Sequence, residues 1–271
     1  MENSTPELCL PLHLKILRRL NFPKKLGSLE FVFGNILAQK GVVFAKTCAG
    51  PMWKLDLRNS TRRWIIFGDY EGPGFVPWAK KWIKEDSVVV DSGANIGQVL
   101  LYLATKIRTG KYIAVEPNPV ARGWLQECLE RYPNWPVTVE IFGLGATAGK
   151  ASLFGHEGDS AVGSHGSLKT GDGEIEVKTL DGYCAEKGIQ RVDLWKLDME
   201  GGEEAAIQGA SGFLKKQAIR ALVVETDEKR FERDCENMKS YGYEVRHWNG
   251  AYMKKVRPGF YGNVLFLPEG T

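Results

Sequence analysis

No two cysteines of this chain form a Cys-x-x-Cys pair. The five present, Cys9, Cys48, Cys128, Cys184 and Cys235, are scattered and odd in number. That pattern argues against a structural zinc site and against a disulfide framework, and a reducing cytosol is the simplest compartment for it. Long apolar runs are missing too. No stretch approaches the ~20 apolar residues that a membrane span needs. The N-terminus lacks the shape of a signal peptide, because Lys15, Arg18 and Arg19 interrupt its apolar positions. Charge of one sign is scarce: the formal net charge is +3, too small to argue for a nucleic-acid partner. There is no internal repeat. What remains is a chain of 271 residues, 43% hydrophobic and 25% charged, which is ordinary globular composition. It suffices for one large domain with an extension, and for a core that needs no staples.

Along the chain the pattern changes once. Residues 7–20 read as a basic amphipathic helix with Leu8, Leu12, Ile16 and Leu20 at helical spacing. Packing on its own domain is the simple reading of that stripe, and a membrane-surface or partner-binding helix is the other. Three short strands come next, over Val42–Phe44, Trp53–Leu57 and Trp64–Phe67. Gly72-Pro73-Gly74 breaks the chain before a helix carrying Phe75, Trp78, Ala79 and Trp82. From residue 87 strands and helices alternate. The strands are Val88–Val90, Tyr112–Val115, Val137–Phe142, Val192–Leu197 and Ala221–Val224, with a closing hairpin from Tyr243–Trp248 and Asn263–Leu267. Continuously apolar strands between helices predict a mostly parallel, doubly wound α/β sheet covered on both faces. The expected division is a helix-and-strand extension over 1–86, packed on a core domain over 87–271. Gly155–Gly173, rich in Gly, Ser, Asp and His, reads either as a linker or as a loop covering the site.

In such a sheet the ligand sits beyond the carboxyl ends of the strands. After the first core strand stands Asp91-Ser92-Gly93-Ala94-Asn95-Ile96-Gly97. Its glycines allow a sharp turn and close approach to a ligand, and the N–H groups of a helix directly behind would face that ligand. After the second strand stands Glu116-Pro117-Asn118, whose carboxylate suits the two ribose hydroxyls of an adenosine. The G-x-G-x-x-G pattern that seats a pyrophosphate is absent. An acidic opener fits a ligand with an ammonium and a sulfonium and no phosphate, which describes S-adenosylmethionine. A tight turn without any ligand is the plain alternative.

The order and spacing of further motifs resemble the FkbM family of methyltransferases over residues 88–225. The matching pieces are Val90–Gly97, Ala114–Pro119, Lys178-Thr179-Leu180-Asp181, Asp193–Glu203, Ile207–Ala210 and Val223-Val224-Glu225. The resemblance implies a class I (Rossmann-like) methyltransferase fold, S-adenosyl-L-methionine as cofactor, and mostly O-methylation of hydroxyls on sugars and secondary metabolites. Carried over by position, it implies a cofactor loop of Asp91, Ser92, Gly93, Ala94, Asn95 and Gly97, with Glu116 on the ribose and Asn118 beside it. Gly143 and Leu144 then lie near adenine. Asp198, after the fourth strand, can hold the cofactor's ammonium group as the plain alternative to acting on the acceptor. Ser164–Leu168 departs from the family's pattern, and residues 1–87 and those beyond 245 lie outside the shared core.

Methyl transfer to an alcohol needs a group to take the proton. Candidates for base or orienter are Asp198 and Glu200 after the fourth strand, Glu225 and Asp227 after the fifth, His156 and His165 in the polar loop, and Tyr70-Glu71 ahead of the core. The foremost catalytic candidates are Asp198, Glu200, Glu71 and His165. Plainer roles compete: Glu200 can cap the helix behind it, Glu71 can pair with a lysine, and the histidines can be solvated. Asp198, Glu225 and Asp227 together would make an oxygen-rich divalent-ion site. The expected partner is a small-molecule acceptor rather than nucleic acid, with no membrane span. Methylation of nucleic acid or protein, and a non-catalytic cofactor-binding module, are the alternatives. Oligomeric state, a homo-oligomer included, is open.

Overall fold

Seven strands build the central sheet: Val88–Ser92 (β1), Lys111–Val115 (β2), Val137–Glu140 (β3), Leu194–Leu197 (β4), Leu222–Asp227 (β5), Tyr243–Arg246 (β6) and Tyr261–Pro268 (β7). The computed structural model describes residues 5–68, 74–154, 167–170 and 173–271. The strand order is β6-β7-β5-β4-β1-β2-β3, and β1 to β5 run parallel. The last two strands form the expected hairpin. Its second strand, β7, inserts antiparallel between β5 and β6. This is the doubly wound, mostly parallel α/β sheet that the alternating pattern predicts. Val89 and Val90, Tyr112 to Val115, and Leu194 to Leu197 are buried along their whole length, because helices cover both faces of a parallel sheet.

Alternate side chains serve different cores. Val89, Tyr112, Leu194 and Val223 join one cluster. Val90, Ile113, Trp195 and Val224 join the other. The first cluster also takes in the N-terminal residues, among them Leu14, Phe33, Trp53, Ile65 and Ala79. That region holds a small sheet in which Val42–Lys46 pairs with Glu7–Leu8 in parallel and with Met52–Asp56 antiparallel. Fully buried Trp53 reaches from it into the core, and its Nε1 donates to Ile96 O at 2.6 Å.

Several local readings change. Trp64–Phe67 is not a strand but the end of a helix, Ser60–Phe67. The Asn59 side chain accepts from Thr61 N at 2.9 Å and starts that helix, which a four-residue apolar run cannot reveal. The N-terminal stripe is also displaced. Glu7–Leu8 is a strand, Pro11 stands at the start of a short helix Leu12–Leu17, and Leu10 and Leu14 are the buried residues. Leu12, Ile16 and Leu20 face outward instead. Two short helices follow β4, Glu203–Gln208 and Ser211–Lys215. They part at Gly209, where a Cβ would stand 2.0 Å from Gly145 O. The segment read as a linker or loop carries a strand, Ser167–Thr170, paired antiparallel with Gly149–Phe154. With Gly143–Leu144 and Ile175–Lys178 these make a second, four-stranded sheet. Among the described residues no helix is long and apolar enough to cross a membrane.

Candidate active site at the carboxyl ends of the strands

Register alone assembles the site. Ser92 pairs with Val115 on β2 and with Leu197 on β4, and Leu197 pairs with Val224 on β5. One residue further along each strand come Glu116, Gly93, Asp198 and Glu225, side by side across the sheet. Asn263 of β7 pairs directly with Glu225. With about 4.8 Å between neighbouring strands, Glu116 and Asp198 stand about 10 Å apart on either side of Gly93.

The Asp91–Gly97 turn is held from within. Gly93 N and Ala94 N both donate to Val115 O, at 3.0 and 3.2 Å. Asn95, in the left-handed region at φ 51°, donates its N–H to Glu116 Oε2 at 2.7 Å, and Gly97 N returns to Ala94 O. The helix behind begins only at Leu100. The N–H groups of Gly93, Ala94, Asn95 and Gly97 are thus spent on the shape of the turn itself. Asp91 is 1% exposed and turned inward, with Oδ2 accepting from Tyr112 Oη at 2.7 Å. Ser92 Oγ accepts from Trp195 Nε1 at 2.9 Å. Both position the turn.

Glu116 accepts Asn95 N on one oxygen and Asn118 N on the other, at 2.7 and 2.8 Å. Each oxygen keeps a further lone pair for a ribose hydroxyl. Burial pushes its carboxyl up to about 7, against the pull of those two N–H groups. Burial also raises Asp91, with Lys196 opposing. Two crowded carboxyl groups beside a turn whose own sequence holds no Lys or Arg suit a cationic ligand, and the Arg62 guanidinium donates to Asn95 Oδ1 at 3.1 Å. On that chemistry the residues fit S-adenosylmethionine. Asn118 caps the helix Pro119–Leu129, its Oδ1 accepting from Val120 N and Ala121 N. Gly143 and Leu144 are buried on the edge of the second sheet.

Across Gly93 lies the acidic half. Asp198 Oδ2 accepts from Lys196 Nζ at 2.6 Å. Lys196 is buried within β4, two residues from Asp198 and so on the same face. Glu225 Oε2 accepts from Tyr261 Oη at 2.6 Å. Burial and the neighbouring Asp198 lift Glu225 to about 7. Asp198, Glu200 and Glu225 bring carboxylate oxygens within 4.8 Å of one another. The oxygen-rich trio expected from sequence is thus changed in one member. Asp227 instead pairs with Arg230 at 3.0 Å, and Glu200 takes its place at φ 54°. The helix Glu203–Gln208 starts behind Gly202 without a side-chain cap, and Glu203 ties down the preceding loop by accepting Met199 N and Gly201 N. Lys196, the Tyr261 hydroxyl and a proton on Glu225 are the means by which the chain itself offsets that crowding. Neither Lys196 nor Tyr261 stands out in the sequence. A lysine inside a buried strand is the available signal for the first, and no local signal marks the second. Glu71, His156 and His165 lie outside the described residues.

An acidic turn ends one parallel strand, a ribose-competent carboxylate ends the next, and an aspartate ends the third. The FkbM methyltransferase domain matches residues 91–248. The AMB antimetabolite synthetase AmbE of Pseudomonas aeruginosa is 24% identical over 65% of this chain. Methyltransferase 1 of Beauveria bassiana is 27% identical over 46%. The chain spans 11% of the length of the first and 59% of the second. M. jannaschii TYW2 in complex with AdoMet superposes with a TM-score of 0.43 at 19% identity, over 83% of this chain and 84% of that one.

Cofactor affinity should carry the signature of Glu116. Ribose hydroxyls and a sulfonium favour its charged form, which the ligand-free chain holds only above about pH 7. Calorimetric titration should show S-adenosylmethionine binding weaken about tenfold per unit as pH falls below 7, with Glu116→Gln flattening that slope. A dissociation constant independent of pH in the unaltered chain would place the ribose elsewhere. The same burial works on folding with the opposite sign: the raised carboxyl favours the folded chain at low pH, and that contribution is lost as pH rises from about 4.5 to about 7. Both the architecture and the matched residues lead to one assignment: the chain belongs to the FkbM methyltransferase domain family, whose methyl donor is S-adenosylmethionine.

Proposed function

We propose that this chain methylates a hydroxyl group of a small molecule, a sugar or a secondary metabolite, with Glu225 as general base. The observation that carries the reading is the Glu225–Tyr261 pair beside Asp198. A carboxylate lifted to about 7 is charged in about half of the molecules at neutral pH and basic enough to take a proton from an alcohol, which is the match general base catalysis needs. Bound S-adenosylmethionine supplies an electrophilic methyl group. Glu116 holds the ribose end, Gly93 lets the ligand lie against the sheet, and Asp198, fixed by Lys196, orients the ammonium end. The acceptor approaches over β4 and β5, where Glu225 Oε2 receives the hydroxyl proton as the oxygen is alkylated. Tyr261 steadies the carboxylate by donating to it at 2.6 Å. A carboxylate base suits an oxygen acceptor, because a hydroxyl must give up its proton as its oxygen is alkylated.

Tyr261→Phe tests this assignment. The Tyr261 hydroxyl lowers the Glu225 pKa by stabilising its charged form. Its loss should move the acid limb of the kcat profile, near pH 7, to higher pH, while the plateau rate falls less. The profile is to be read with radiolabelled S-adenosylmethionine against a panel of polyhydroxylated acceptors. An unmoved limb removes Glu225 from the role. Transfer to RNA or to protein amines, and none to the hydroxyl panel, overturns the acceptor class.

A further inference from the structure

The helices Leu12–Leu17 and Lys25–Ala38 leave an apolar surface that nothing in the described chain covers. Six of the ten large apolar side chains exposed among the described residues lie on them or between them: Leu12, Ile16, Leu20, Phe31, Val32 and Ile36, with Phe31 91% exposed. The helices meet where His13 stacks on Phe33 at 5.3 Å. The outer face of the second helix, from Gly27 to Ile36, carries Phe31, Val32 and Ile36 with only the uncharged Ser28 and Asn35 among its exposed polar side chains.

Charge decides what covers it. Residues 9–40 hold six basic side chains and a single acid, Glu30. Glu30 is tied to Arg63. The remainder of the chain has a small acidic excess, so this one segment accounts for the positive sign of the whole. Exposed Lys15, Arg19, Lys24 and Lys40 rim the apolar face. Between the helices opens a cavity of about 520 Å³, lined in part by Arg18, Arg19, Lys24 and Lys25. Arg18 is 5% exposed. Its Nη1 is spent on Lys46 O and Ile66 O, but its buried Nε has no hydrogen-bond partner. A basic recess beside an apolar face with a basic rim matches a phosphate headgroup above acyl chains. A second copy does not match, since two like-charged rims would face each other across a two-fold axis.

We propose that this face docks the protein on an anionic phospholipid surface, with a headgroup phosphate in the Arg18–Lys25 recess and Phe31 and Ile36 in the acyl boundary. The test is flotation of the full chain with vesicles of phosphatidylcholine alone and of phosphatidylcholine with phosphatidylglycerol. The chain should float with the anionic vesicles, less so at high salt. Lys15→Gln and Arg19→Gln should each weaken binding about fivefold, the ratio equivalent to about 1 kcal/mol per basic residue at such a surface. The double variant Phe31→Ser/Ile36→Ser should lose flotation while keeping its affinity for S-adenosylmethionine, which shows that it is folded. Equal or absent flotation with the two vesicle types overturns the proposal. So does a stable dimer, seen by light scattering, that Phe31→Ser/Ile36→Ser dissociates. Inorganic phosphate is the third arm: if it binds the chain tightly and leaves vesicle binding untouched, the recess serves a free phosphate group and the headgroup assignment fails.

Discussion

Alanine at position 93 should cost the protein about 3–5 kcal/mol of folding stability and abolish cofactor binding. Gly93 has φ +77°, and its would-be Cβ stands 1.8 Å from Asp198 O. The left-handed backbone alone costs an L residue about 1–2 kcal/mol. The collision costs more, because the struck atom is backbone and no rotamer moves it. Asp198 is itself pinned, its N–H donating to Ser92 O at 3.1 Å. Relief requires the ends of β1 and β4 to part, which separates the two halves of the site. A loss of this size is a large fraction of the 5–15 kcal/mol that holds a typical domain together. Gly188→Ala is the control: φ is +65°, yet a Cβ there meets nothing within 4 Å, so only the left-handed backbone cost of about 1–2 kcal/mol applies. Denaturation midpoints compare the two. Equal losses would mean that the β1–β4 contact yields freely and that Gly93 matters only for its backbone.

The same contact explains why part of the site was legible in the sequence. Parallel strands buried on both faces read as apolar runs, and the residues just beyond each run land at one edge of the sheet. Asp91–Gly97, Glu116, Asp198 and Glu225 could be placed there without coordinates. The roles within that row depend on side-chain direction, which spacing does not carry. Asp91 turns inward to Tyr112, Asn118 caps a helix, and Asp227 turns to Arg230. Tyr261 arrives from the far end of the chain only because β7 inserts beside β5. The N-terminal stripe shows a different limit. Leu8, Leu12, Ile16 and Leu20 have helical period, but Pro11 starts the helix late, and the buried positions become Leu10 and Leu14. Periodicity identifies an apolar face without saying whether this chain is what covers it.

Glu225→Gln should lower turnover by about 10²–10⁴, the usual contribution of a general base, with little change in S-adenosylmethionine affinity. Glutamine keeps the size of the side chain and an oxygen to accept from Tyr261, so the geometry survives and only the basicity goes. The pH profile separates this from a structural role. In the unaltered chain the base must be charged, so kcat rises with pH and levels above about 7. The variant has no such group there, and its residual rate should lose that limb. Stability moves the other way. Glu225 has its pKa raised from 4.5 by burial and by Asp198, so it favours the folded chain most below about 4.5, and that contribution is lost by about 7. Above pH 7 its charge therefore opposes folding, and the neutral amide should leave the melting temperature unchanged or higher. A lower melting temperature at pH 8 together with lost activity would point to a packing role. Unchanged turnover with the acid limb intact would move the base to another group at the acceptor side. The combination expected, a stable protein that binds cofactor and has lost both rate and limb, is the one that proton transfer at Glu225 produces; a rate restored by added Mg²⁺ would assign the residue to an ion instead.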